Sequence, residues 1–164
     1  MKRLVLIALV IMIAQTVIHA ENMPVAPNGI ALYTGYMTWQ VVAPSYREDK
    51  GHIRIITGNE IAIAALKAGT RPLPDGSVLA KVAWKAEKNP AFPVATEPGA
   101  FAQVEFMVKN AHKYKDTGGW GFARFVGNDL QPYGKDASFV RECFGCHTPV
   151  AANDYLFTKI VHTP

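Results

Sequence analysis

Eleven prolines and thirteen glycines, all beyond residue 23, are scattered through this 164-residue chain, so four long uninterrupted helices cannot be laid along it. A four-helix bundle is disfavoured, and the segments between the breakers read mostly as strands. Residues 39–46 and 52–57 flank the polar turn Arg47-Glu48-Asp49-Lys50-Gly51, and the second run alternates as a half-buried strand does. This pair predicts a hairpin. Residues 78–86, 101–109 and 120–126 supply three more β runs, which makes about five strands in an antiparallel sheet. Residues 59–67 change to helical spacing, with Gly69 placed to stop the helix. Pro72, Pro74, Asp75 and Gly76 make a turn, residues 87–99 read as a Pro-rich connection, and residues 114–119 as a polar turn. The predicted fold class is α+β, predominantly an antiparallel sheet with a few helices.

The amino terminus has the order of a secretory signal peptide: Lys2 and Arg3, an apolar run over residues 4–13, then a mixed stretch ending at His19-Ala20. The run is short of the roughly 20 residues that span a bilayer, so a cleaved leader over residues 1–20 is expected rather than an anchor. Residues 21–164 then form a single domain, long enough for its own core. The whole chain carries 17 basic and 13 acidic residues; without Lys2 and Arg3 the excess is +2, with no long basic run, and nucleic acid is not an expected partner.

Both cysteines lie in Cys143-Phe144-Gly145-Cys146-His147, the spacing of covalent haem attachment. On a helix, side chains at i, i+3 and i+4 project together, so two thiols can each add to a haem vinyl group while His147 reaches the iron as proximal ligand. A redox pair would open a helix after a strand, a zinc site would need further ligands nearby, and a plain disulfide is a third alternative. Neither of the first two contexts is visible, and one covalently attached haem c is the preferred reading. Export agrees with it, because haem is joined to cysteines outside the bacterial cytoplasm, which places the protein in the periplasm. A helix from about Asp136, ended by Pro149, is expected to present the motif. Only 17 residues follow His147, so the opposite side of the haem must be built mainly from upstream residues.

Beyond this motif the chain resembles the cytochrome P-460 family. The resemblance rests on Pro-Asp-Gly-Ser-Val-Leu-Ala-Lys at 74–81, Gly-Trp-Gly-Phe-Ala-Arg-Phe at 119–125, and the haem motif followed by Asn-Asp-Tyr-Leu-Phe-Thr at 153–158. That family is similar to cytochrome c′-beta, which shares the antiparallel sheet but binds gases. The resemblance implies a homodimer and a histidine-ligated haem with an open distal face. It also implies that Lys81 matches a lysine bonded to the haem edge and Arg54 a distal arginine, able to orient a nitrogen oxide or hold a propionate. Read without it, Lys81 shares a face with Lys85 as a solvent-side residue, and Arg54 is an outward charge beside Ile53 and Ile55. His52 is expected on the other strand face, at the surface. Where active members carry a carboxylate before the haem motif, this chain has Ser138, with Asp136 and Glu142 nearby.

Three functions follow. The first is a haem oxidoreductase that oxidises hydroxylamine and passes electrons to a redox protein, with Arg54 and Lys81 at the site. The second is a non-catalytic nitric oxide binder. The third is an electron carrier, which needs a sixth ligand from Met37, Met107 or His112, each more ordinarily a core or loop residue. Trp39, Trp84, Trp120, Phe122 and Phe125 read as core or haem-packing aromatics, and Phe101 and Phe106 as residues that can crowd the distal face.

Overall fold

A computed structural model describes residues 23–161; the expected leader lies outside these described residues. The elements are β1 (Gln40–Arg47), β2 (His52–Gly58), α1 (Glu60–Lys67), β3 (Val78–Asn89), β4 (Phe92–Lys109), β5 (Trp120–Val126), β6 (Gln131–Pro132) and α2 (Val140–His147). The strands form one sheet in sequence order, every neighbouring pair antiparallel. The sheet has six strands rather than five. The additional one, β6, is only two residues long and therefore too short to show alternation in the sequence.

The β1–β2 hairpin forms as expected, with Arg47 Nε donating to Asp49 Oδ1 at 2.5 Å and Gly51 in the left-handed region (φ 58°) where the turn reverses. At α1 the Asn59 side chain caps the helix by accepting from the Ala62 amide at 3.0 Å. The same carboxamide accepts from Val78 N at 3.0 Å and donates to Gly76 O at 2.8 Å, tying the helix start to the start of β3.

Residues 87–99 are not a loose connection. They continue β3 and β4 into a long hairpin closed by Asn89, whose side chain accepts from the Ala91 and Phe92 amides at 2.8 and 3.0 Å. Pro93 and Pro98 are tolerated because β5 pairs with β4 only from Gln103 onward, so this part of β4 has a free edge where a missing N–H costs nothing.

Side chains alternate across the sheet and give it two apolar faces. On one, Val82, Val104, Phe106, Ala123 and Phe125 are buried beneath Ala26, Ile30 and the rings of Tyr33 and Tyr36, from the segment before β1. On the other, Leu79, Trp120 and Phe122 pack against Ile63 and Leu66 of α1, with Leu73 and Leu156. A 3-10 turn at Ala137–Phe139, capped by Asp136 Oδ1 accepting from Ser138 N at 2.8 Å, leads into α2. As expected, α2 stops at His147, just ahead of Pro149. That proline occupies the first turn of a 3-10 segment, Thr148–Asn153, where no amide hydrogen is required of it, and the chain leaves through Asp154 and Tyr155, both with positive φ (53° and 63°).

Candidate functional site

Between this second face and α2 lies a cavity of about 760 Å³. Cys143, Cys146 and His147 line it from the helix, and Arg54 and Lys81 from the sheet. All five site residues singled out in the sequence thus border one space, whose apolar wall is made by Val42, Ile56, Leu79, Phe122 and Leu156. A volume of this size belongs to the range of small-molecule and cofactor sites.

His147 is held in one orientation. Its Nδ1 lies 2.7 Å from the carbonyl oxygen of Tyr155, and since a carbonyl only accepts, Nδ1 carries the proton and Nε2 keeps its lone pair. Phe122 and Phe157 flank the ring at 5.4 and 5.0 Å between centroids. Burial lowers the imidazole pKa below its usual value, favouring the neutral, ligand-competent form. Cys143 is half-buried, and burial pushes its thiol up to about 11 against the opposing pull of Arg124; Cys146 is exposed at the rim.

The facing wall is charged. Lys81, Glu105 and Arg124 occupy one row across β3, β4 and β5. The Lys81 ammonium pairs with Glu105 Oε2, and Arg124 Nε donates to Glu105 Oε1 at 2.8 Å. Arg124 also reaches Glu142 Oε1 at 3.4 Å, Tyr133 donates its hydroxyl to Glu142 Oε2 at 2.9 Å, and the guanidinium lies 4.3 Å from the Tyr133 ring centroid. Burial acts to raise the Glu105 pKa, but the Lys81 and Arg124 cations outweigh it and hold the carboxyl below its ordinary range. Lys81 is therefore not a solvent-side residue: its side chain is 29 % exposed and its charge is used inside the cavity wall.

Glu105 was missed in the sequence. Alternation in Gln103-Val104-Glu105-Phe106-Met107 puts it on the face opposite Val104 and Phe106, a signal that was available, but its position opposite Lys81 depends on the β3–β4 register.

Arg54 also points inward, with its Nε buried and without a partner. Burial, then the nearby Arg47 charge, lowers its pKa. His52 lines the same cavity rather than the other strand face, because residues two apart in a strand project together. Ser138 is exposed in the 3-10 turn and does not border the cavity, and the Asp136 side chain serves as the cap of that turn. Glu142 does reach the cavity.

Of the candidate sixth ligands, Met107 borders the cavity, whereas Met37 is 58 % exposed and His112 lies in an exposed loop. Phe101 and Phe106 join the cluster on the opposite face, with Phe106 also touching the cavity margin, while Phe122 is the aromatic residue that packs against His147. Trp120 and Phe125 are fully buried core residues.

A family model described as Cytochrome P460 matches residues 33–158, most of the chain. None of the curated proteins compared with it matches the chain.

Proposed function

The chain belongs to the cytochrome P460 family and is a haem-binding cytochrome; from that premise we propose that Cys143 and Cys146 hold one haem c covalently, with His147 as its proximal ligand, and that the site handles a small nitrogen species. The observation that carries this reading is the meeting of two thiols and a neutral imidazole, its Nε2 free, in one cavity of about 760 Å³. The residues present fit the group: the cavity has an apolar wall for a porphyrin and a cationic side that includes Arg54, whose buried Nε lacks a partner and suits a propionate or an anionic ligand.

When bound, the haem supplies an iron able to take up a small ligand and exchange electrons. The chain supplies the surroundings. Phe122 and Phe157 confine the His147 ring, and the Tyr155 carbonyl raises its basicity by holding the Nδ1 proton. Lys81 borders the cavity beside the proposed haem site and is held there by its ion pair with Glu105 Oε2, which supports placing its side chain against the haem edge. Glu105 and Glu142 are carboxylates bordering the cavity, so a proton acceptor for a substrate such as hydroxylamine does not depend on Ser138. This favours oxidation of hydroxylamine, with electrons passed to a redox partner in the periplasm. The alternative, a nitric oxide binder without turnover, is favoured by the pairing of Glu105 with two cations, which weakens it as a base.

The test is an absorption spectrum and intact mass of the mature holoprotein, followed by its reaction with hydroxylamine. A mass showing haem with a further bond at Lys81, a strongly red-shifted ferrous band and oxidation of hydroxylamine support the enzyme. An unmodified five-coordinate haem c that binds nitric oxide but leaves hydroxylamine unchanged selects the binder, and colourless protein from a host competent in haem attachment overturns both.

A further inference from the structure

We propose that Asp154 is a positioning residue for His147, acting through the backbone of Tyr155; this rests on the reading of His147 as the iron ligand. Asp154 is 7 % exposed and stands outside the cavity, yet every oxygen of its side chain is engaged. Lys109 Nζ donates to Oδ1 at 2.6 Å, Trp120 Nε1 to Oδ1 at 3.1 Å and to the Asp154 carbonyl at 3.0 Å, and the Leu73 amide to Oδ2 at 2.7 Å. These donors come from three separate places: the end of β4, the start of β5 and the loop before β3. One carboxylate therefore registers the C-terminal segment against the sheet.

The backbone explains why this register matters to the site. Asp154 and Tyr155 follow one another with φ of 53° and 63°, a conformation unfavourable for residues bearing a Cβ. Their turn directs the Tyr155 carbonyl to His147 Nδ1 at 2.7 Å. A buried ion pair such as Lys109–Asp154 is weak evidence of added stability, since the desolvation of both charges opposes their attraction. What it supplies here is direction: the carbonyl that sets the tautomer and electron donation of His147 is held by a charge network on the far side of the turn.

The experiment is resonance Raman spectroscopy and a reduction-potential titration of the holoprotein as wild type, Asp154→Asn and Trp120→Phe. Loosening the turn weakens the hydrogen bond from Nδ1, so the ferrous iron–histidine stretching band is expected to move to lower frequency and the midpoint potential to rise, more in D154N than in W120F. Trp120→Phe keeps both charges and removes the indole donor together with part of a buried ring, so its band and potential are read beside its melting temperature, and it decides the matter alone should D154N fail to fold. A loss of melting temperature with band and potential unchanged overturns the role of Asp154 and leaves it a stabilising residue only. A wild-type holoprotein with no iron–histidine band overturns ligation by His147 itself, and this proposal with it.

Discussion

In the cavity wall Glu105 is a carboxylate shared by Lys81 and Arg124, with its side chain 16 % exposed. Its pKa lies below the ordinary 4.5, so its contribution to stability is fully present above that value and is lost as pH falls through the folded-state pKa. In protein whose Lys81 is a free ammonium, Glu105→Gln is expected to cost roughly 2–3 kcal/mol at neutral pH, below the usual range for a broken buried pair because Lys81 remains partly solvated. Urea unfolding of wild type and variant at pH 7, 5 and 3.5 checks this, with the gap between them closing as the solution is acidified. A gap independent of pH refutes the charge argument. The grouping of Cys143, Cys146 and His147 was legible at this scale because it spans one helical turn. Glu105 was not, because its meaning comes from two strands on either side of it.

Among the elements, α1 shows how much local chemistry a strand-to-helix junction carries. Asn59 does more than cap: its carboxamide satisfies the Ala62 and Val78 amides and donates to Gly76 O. Asn59→Ala is therefore expected to destabilise by about 2 kcal/mol, the upper end for an N-cap, and Asn59→Asp by less, since the acceptor survives and only the donor is lost. Thermal or denaturant melts of the two variants provide the check, and equal losses would count against the donor's role. Helix α1, the first hairpin and the strand cores were readable because alternation, caps and turn residues are short-range signals. The hairpin extension over residues 87–99 was not, because whether a proline breaks a strand depends on which edge faces a neighbour, and that is set by where β5 begins to pair. On the helical side Pro149 kept its ordinary meaning, since α2 ends at His147 and the chain goes on as a 3-10 segment.

For the molecule as a whole, the cavity sits between the sheet and the C-terminal segment, so its contents should govern how firmly that segment docks. In the proposed holoprotein, Cys143→Ala/Cys146→Ala keeps His147 and the pocket but removes the thioether links. Extraction with acidified acetone is expected to strip haem from this double variant and to leave it on the wild type. Single Cys→Ala variants should retain colour through one remaining link. Haem extracted from the wild type would refute covalent attachment. Where haem binds the double variant non-covalently, free haem at about 1,000 times Kd should stabilise it by about 4 kcal/mol. Hydrogen exchange should show the gain concentrated in α2 and the residues after Asp154.

The amino-acid sequence by itself determined the strands from their alternation, the helix from its cap and spacing, and the thiol–thiol–imidazole group from positions i, i+3 and i+4. Each follows from backbone geometry within a few residues. The tertiary structure decided that Lys81 and Arg54 face the cavity, that Glu105 joins Lys81 to Arg124, and that Tyr155 offers its carbonyl to His147. The Tyr155 contact spans only eight residues and depends on the turn through Asp154 and Tyr155, whereas the others arise from strand register and from the pairing of segments far apart in the chain. No local preference specifies them, because a shift of one residue in register would turn each inward side chain to the opposite face.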